Sequence, residues 1–255
     1  MAETSEEFPA SWYGLADPTQ FWMEWRVLAF LAQLRSLQID LDAPLRVLDV
    51  GAGSGALRAQ LEAATRWTID ISDTNPAVKA HCIPGRGDAW IYDVAQRSAE
   101  RIGHYDAVLL FDVIEHADAP VTLLRDAAAH LKPGGRLFVN VPALPAFHSG
   151  YDHAAGHRRR YTSRSLRREF EAASLRVLEV RYWGFTMLPM LVARWLVQRG
   201  KPRDAAEGER WIRSGFEPPV RSVDRVLRFL ARTETRWLSP APCGTSLLCA
   251  GEVAR

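Results

Sequence analysis

The chain has 255 residues, enough to bury a large core within a single domain, 1–255. Hydrophobic residues make up 47% and charged residues 24%, ordinary for a globular protein. The net charge of +2 gives no global basic signature, so nucleic acid is not the expected partner. Cys82, Cys243 and Cys249 have neither metal-site nor disulfide-framework spacing. The acidic start MAETSEEFPA lacks a basic-then-apolar signal pattern. The longest apolar stretch, Phe185 to Val197, contains Pro189 and Arg194 and is too short to span a bilayer. A soluble, cytoplasmic protein without a membrane span is expected.

Residues 1–42 read as an N-terminal helical cap. A polar lead-in ends at Asp17-Pro18, and from Gln20 to Leu37 the residues Phe21, Trp25, Leu28, Leu31 and Leu34 recur at helical spacing. Trp12, Tyr13, Trp22 and Trp25 suit either a lid over a ligand or the core. Residues 45–182 then alternate strands and helices. Strands are expected at Leu45–Val50, Trp67–Ile71, Ala89–Tyr92, Tyr105–Phe111, Arg136–Val141 and Arg176–Tyr182. Helices are expected at Ala56–Ala64, at Val121–Leu131 before the stop Lys132-Pro133-Gly134-Gly135, and from a Thr162 or Ser163 cap through Ala173. A mainly helical insert over 184–242, marked by Pro218-Pro219, precedes a last strand at 246–253. This alternation over short turns predicts a mostly parallel α/β sheet with helices on both faces.

The most informative segment is Val47-Leu48-Asp49-Val50-Gly51-Ala52-Gly53-Ser54-Gly55. A buried strand runs into three glycines at alternate positions, as needed where the backbone turns tightly and a ligand comes close. The spacing Gly-x-Gly-x-Gly does not meet the dinucleotide fingerprint. Asp49 would repel a pyrophosphate and suits a cationic ligand, such as a sulfonium that also carries an ammonium group. Asp70, with Ile71 beside it, is expected to end the second strand and accept both ribose hydroxyls. Asp73, in Asp73-Thr74-Asn75-Pro76, is its rival and equally suits a turn or cap. Asp93, with Val94, ends the third strand, where an acid can accept from an adenine amino group or cap a loop.

Val47–Gly55 resembles motif I of class I S-adenosylmethionine-dependent methyltransferases. Phe111-Asp112-Val113-Ile114-Glu115-His116 and Leu131-Lys132-Pro133-Gly134-Gly135-Arg136-Leu137 resemble the segments that follow in that family. The resemblance covers about 45–182 and implies a Rossmann-like seven-stranded sheet with the last strand antiparallel. It implies S-adenosyl-L-methionine as cofactor, held by Asp49, Gly51, Ala52, Gly53 and Gly55 at the methionine part. Asp70 and Ile71 would then meet the ribose and Asp93 and Val94 the adenine, with Phe111 completing the set. Gly156-His157-Arg158-Arg159-Arg160-Tyr161-Thr162 resembles a subgroup of bacterial small-molecule methyltransferases.

Methyl transfer to oxygen or nitrogen needs an oriented acceptor and a base for its proton. His116, just beyond the fourth strand, is the candidate base, with Asp112 holding or tuning it. Asp112-x-x-Glu115 also reads as a capping box. The same segment resembles the Glu-x-x-Glu-His element of ubiquinone O-methyltransferases and small-RNA 3′-end methyltransferases, which implies a divalent ion. A helical turn would put Asp112, Glu115 and His116 on one face, with His148, His153 or His157 as a fourth ligand. Arg158, Arg159 and Arg160 suit either a clamp for an anionic acceptor or solvated surface. The leading expectation is methylation of a small-molecule metabolite. The alternatives are a metal-assisted RNA-end or catechol-type methyltransferase and a non-catalytic partner subunit.

Overall fold

Short aliphatic runs alternate with amphipathic stretches between residues 46 and 183, and each run forms a strand. The structure, a computed structural model, describes residues 18–198 and 220–254. The sequence readings at Trp12, Tyr13 and Pro218-Pro219 lie outside them. In chain order the elements are α1 (Phe21–Ser36), β1 (Arg46–Val50), α2 (Ala56–Ala64), β2 (Thr68–Asp73) and α3 (Val78–His81). Then come β3 (Ala89–Ile91), β4 (Tyr105–Phe111), α4 (Pro120–Ala128), β5 (Leu131–Pro142), α5 (Gly150–Ala154) and α6 (Ser163–Ala172). The chain closes with β6 (Leu175–Trp183), α7 (Leu188–Gln198), α8 (Arg221–Trp237) and β7 (Ser246–Val253).

Seven strands form one sheet in the order β3-β2-β1-β4-β5-β7-β6, with β7 antiparallel to both its neighbours and the other pairings parallel. The order reverses at β1, so the carboxyl ends of β1 and β4 flank the crevice where ligands bind in such sheets. The two-residue strand period separates two cores. Leu48, Val108, Leu110, Leu137, Val139, Leu247 and Cys249 pack on one face under α4 and α6. Val47, Leu109, Phe138, Leu248 and Ala250 pack on the other, against Trp25, Phe30 and Leu34 of α1.

Two segments depart from the expected boundaries. β2 runs on through Ser72 and Asp73, because the Ser72 carbonyl still accepts from Gly51 and Ala52 N–H at 2.8 and 3.2 Å. Asp70 is therefore level with Leu48, and Asp73, not Asp70, ends the strand. Lys132-Pro133-Gly134-Gly135 lies inside β5, as a bulge between the pairs Tyr105–Leu131 and Ala107–Arg136. The helix before it already stops at Ala128.

The insert after β6 is anchored by one carboxylate. Glu234 of α8 is buried and accepts from Gly184 N–H at 2.7 Å, Phe185 N–H at 3.1 Å, and Thr186 N–H and hydroxyl at 2.9 and 3.0 Å. This clamps α8 across the end of β6, while its adjoining face packs on α1.

Candidate cofactor and acceptor site

The glycine loop takes the backbone shape that only glycine adopts without strain. Gly51, Gly53 and Gly55 have φ of 67°, 55° and 77°. A Cβ on Gly51 would lie 2.8 Å from Val113 Cγ2. Asp73 braces the loop, its Oδ2 accepting from Gly53 N–H at 3.0 Å and its Oδ1 from Asn75 N–H at 2.9 Å. Asp49 sits at the end of β1 almost fully buried, and its Oδ2 has no hydrogen-bond partner. Burial pushes its carboxyl up to about 7, against the opposing pull of the Arg26 and Arg58 guanidiniums. A buried carboxylate with one oxygen unpartnered, beside an open-backbone loop, fits a ligand that brings its own cation.

Other expected cofactor residues turn elsewhere. Asp70 is fully buried and bonded to Arg46 Nη2 at 3.0 Å, the Tyr105 hydroxyl at 3.1 Å and Asp88 N–H at 2.8 Å. These partners tie β2 to β1 and β4 below the crevice. The side chains of Val94 and Phe111 belong to the hydrophobic cores, Phe111 edge-on to Phe30 at 5.0 Å, whereas the buried Ile71 side chain lies beside the glycine loop at Gly55. Asp93 is exposed and caps the turn Val94–Gln96 by accepting from Ala95 N–H at 2.9 Å.

On the acceptor side, against the larger lowering by burial, the negative charge of Asp112 favours the protonated form of His116. The Asp112 carboxylate pairs with Arg26 of α1 and accepts from Asn140 Nδ2 at 2.6 Å; Asn140 in turn accepts from Trp183 Nε1 at 2.9 Å. Asp112 has a φ of 59°, and residues 114–116 form a turn instead of a helix, so the expected face of Asp112, Glu115 and His116 does not form. Glu115, His116 and His157 converge instead, with ligand-capable atoms all within 4.8 Å of one another.

Each of the three is set by local structure. Both Glu115 carboxylate oxygens are buried without a hydrogen-bond partner. Burial, with Asp112 adding negative charge, holds that carboxyl well above the usual carboxylate range. His116 Nδ1 lies 3.1 Å from the Gly156 carbonyl, which requires the proton on Nδ1 and leaves Nε2 as the basic nitrogen. Burial, then the neighbouring His157, lower its pKa to about 4. His157 Nδ1 lies 3.0 Å from Asp152 Oδ1, which orients its Nε2 in the same way.

Asp152 itself is fully buried. Burial would raise its pKa, but hydrogen bonds from His157 and Arg160 outweigh this and hold it well below the usual carboxylate range. The arginine run braces the loop. Arg158 pairs with Asp118, Arg159 donates to the Ala117 carbonyl at 2.8 Å, and Arg160 bonds Asp152 at 2.7 Å and the Ala143 carbonyl at 3.0 Å. His148 bonds the His157 carbonyl at 3.0 Å and stacks edge-on against His153. Sequence reasoning missed Arg26, Asn140 and Asp152. Of these only Asp152 left a local trace, as the fourth position of the Ser149 capping box.

A family model described as a methyltransferase domain matches residues 22–180. The chain belongs to the class I S-adenosylmethionine-dependent methyltransferases. The ubiquinone biosynthesis O-methyltransferase of Xanthomonas oryzae pv. oryzae is 34% identical over 110 residues, which are 41% of this chain and 46% of that protein. The chain thus spans about half the length of the curated relatives it matches.

Among solved structures, a chain of the complex between the Haloferax volcanii Trm112 methyltransferase activator and a methyltransferase is similar. It has a TM-score of 0.60 and 18% identity, over 99% of this chain and 100% of that one. Haemonchus contortus phosphoethanolamine N-methyltransferase 2, in complex with S-adenosyl-L-methionine, has a TM-score of 0.56 and 13% identity, over 89% of this chain and 52% of that one. At these identities the likeness is one of fold. The methyltransferase cofactor is S-adenosylmethionine. Among the described residues no helix is long and apolar enough to cross a membrane.

Proposed function

We propose that this methyltransferase moves the methyl group of S-adenosylmethionine to a hydroxyl oxygen of a small-molecule acceptor, beside a divalent cation held by Glu115, His116 and His157. In this reading Asp49 pairs with the cofactor's ammonium group, and the open backbone of Gly51, Ala52, Gly53 and Gly55 receives the methionine part. Asp73, at the end of β2, keeps lone pairs for the ribose hydroxyls beyond those given to Gly53 and Asn75. Asp93 offers its second carboxylate oxygen to the adenine amino group.

The observation that carries the cation is the pair of buried, unpartnered Glu115 oxygens facing two histidines. Each histidine is oriented through its other nitrogen by Gly156 or Asp152, as metal-ligating imidazoles usually are. A mixed nitrogen and oxygen set favours Zn, Mn, Fe or Co over Mg. A cation bound there would lower the pKa of the acceptor hydroxyl. The chain's own part is to align the acceptor oxygen with the methyl carbon and the sulfur and to exclude water. The oxygen–carbon bond forms as the carbon–sulfur bond breaks, the electron pair stays on sulfur, and the acceptor's proton leaves as the hydroxyl ionises. A dihydroxylated aromatic acceptor suits such a site, in keeping with the likeness to ubiquinone biosynthesis O-methyltransferases.

The second reading gives His116 Nε2 the acceptor's proton directly. The Nδ1 bond to Gly156 favours it, since that tautomer leaves Nε2 basic. A pKa near 4 argues against it, because so weak a base gains little from taking a hydroxyl proton. Titration of the metal-stripped protein with Mn(II) or Zn(II) by calorimetry, alongside methyl transfer to a catechol probe, separates the two. The cation reading predicts one bound ion, lost in Glu115→Gln and His157→Ala, and activity abolished by chelator and restored by that ion. Full activity in metal-free protein would overturn it in favour of the base.

A further inference from the structure

Ten of the thirteen large apolar residues exposed among the described residues lie between Met190 and Leu238, eight on α7 and α8 and two, Val220 and Leu238, at the ends of α8. On α8 they fall into a pattern. Asp224, Leu227, Ala231 and Glu234 step by three and four along the side turned to α1 and the end of β6. Arg221, Arg225, Arg228, Arg232 and Arg236 form a second stripe at helical spacing. Val223, Val226, Leu230 and Trp237 form a third stripe, with Phe229 beside it. Phe229 is 68% and Trp237 75% exposed.

Of the two acids of α8, Glu234 is buried and Asp224 pairs with Arg228 at the edge of the arginine stripe. Glu24 of α1 also pairs with Arg228 and with Arg232, so the outward charge is carried by the exposed Arg221, Arg225 and Arg236 beside the apolar stripe. On α7, Met190, Val192, Leu196 and Val197 are exposed, while its only charged residue, Arg194, lies over the Tyr151 ring at 4.2 Å. Both helices pack against the same turn, Phe185–Met187.

We propose that this face docks the protein onto an anionic lipid bilayer, with α8 lying in the plane of the interface. A helix with arginines along one edge and Val, Phe and Trp along the next has the charge and shape of an interfacial helix. The guanidiniums of Arg221, Arg225 and Arg236 meet lipid phosphates, and Trp237, stacked under Arg236 at 5.1 Å, sits at headgroup depth. The complementarity is specific to this face, because the chain as a whole carries only +2. α7 also packs on the turn Pro145–Phe147, where Trp195 meets Phe147 at 5.6 Å, shortly before the loop that carries His157. Docking would therefore bring the acceptor side close to the lipid. The docking claim stands independently of the acceptor's identity.

The test is sedimentation of the full chain with vesicles of phosphatidylcholine alone or mixed with phosphatidylglycerol. The wild-type chain should pellet with the mixed vesicles, far less with phosphatidylcholine alone, and less as salt rises. Val226→Asp with Phe229→Asp should lower the partition coefficient by about tenfold or more. Its far-UV spectrum and S-adenosylmethionine affinity should not change. Arg221→Ser with Arg225→Ser and Arg236→Ser should remove the preference for phosphatidylglycerol. Wild-type protein that stays in the supernatant overturns the proposal, as does a Val226, Phe229 variant that pellets like the parent. A wild-type dimer that ignores vesicles and dissociates in that variant would assign the face to a second copy instead.

Discussion

Asp49 is held in an unfavourable state, which the ammonium group of S-adenosylmethionine would relieve on the proposed reading. Its pKa near 7 means the carboxylate is costly when ionised without a partner. Since its folded value lies above the ordinary 3.8, the group favours the cofactor-free fold most below about pH 4, and that contribution is lost as pH rises through 7. Asp49→Asn should therefore raise the thermal midpoint of the cofactor-free protein at pH 8. The same change removes the partner of the ammonium group, a charge-assisted contact of about 1.5–3 kcal/mol, so affinity should fall about 10- to 100-fold. Binding favours the ionised carboxylate, so affinity should weaken below pH 7 by up to about tenfold per pH unit. Calorimetry in buffers of different ionisation enthalpy should show proton release near pH 7. Pairing that is independent of pH, with an Asn variant that binds like the parent, would remove Asp49 from the site. At Gly51, Ala would meet both a positive φ and Val113. We expect a loss of about 1–3 kcal/mol in stability, read from the urea midpoint, together with weakened cofactor binding.

At the scale of elements, legibility followed how local the determining forces are. The α6 cap was readable because Thr162 accepts from Ser165 N–H at 3.0 Å, three residues away. The glycine loop was readable because a positive φ leaves its mark on residue type. The end of β2 was not, because Ser72 and Asp73 are strand residues only through the ladder to the glycine loop, and their polarity mimics a turn. The true end was thus displaced by two residues, and Asp73 remained only the rival of Asp70. The hydrogen-bond partners of Asp112 were hidden for a similar reason: Arg26 and Asn140 lie 86 and 28 residues away. Glu234 was invisible in the sequence and yet joins three backbone donors and one hydroxyl. Glu234→Ala should cost about 3 kcal/mol in denaturant unfolding, because it strands buried N–H groups, and Glu234→Gln should cost less. An Ala variant as stable as the parent would mean that α8 is not clamped there.

Across the whole molecule, the sheet places the buried Asp49 carboxylate near the end of β1 and a nitrogen and oxygen cluster beyond β4, on the crevice where the strand order reverses. Loops over 145–161 close the cluster, and the insert buttresses them from outside through Trp195 and Gln198. This arrangement makes the cofactor half separable from the acceptor half. Glu115→Gln and His157→Ala should abolish cation binding and leave S-adenosylmethionine affinity within about threefold of the parent, since the sites share no residue. The most direct test of the central claim is calorimetric titration of S-adenosylmethionine into the parent, Asp73→Ala and Asp70→Asn proteins. The geometry predicts one site in the parent, about 10- to 100-fold weaker binding in Asp73→Ala, and near-parental affinity in folded Asp70→Asn. No binding by the parent, or loss confined to Asp70→Asn with its fold intact, would contradict it.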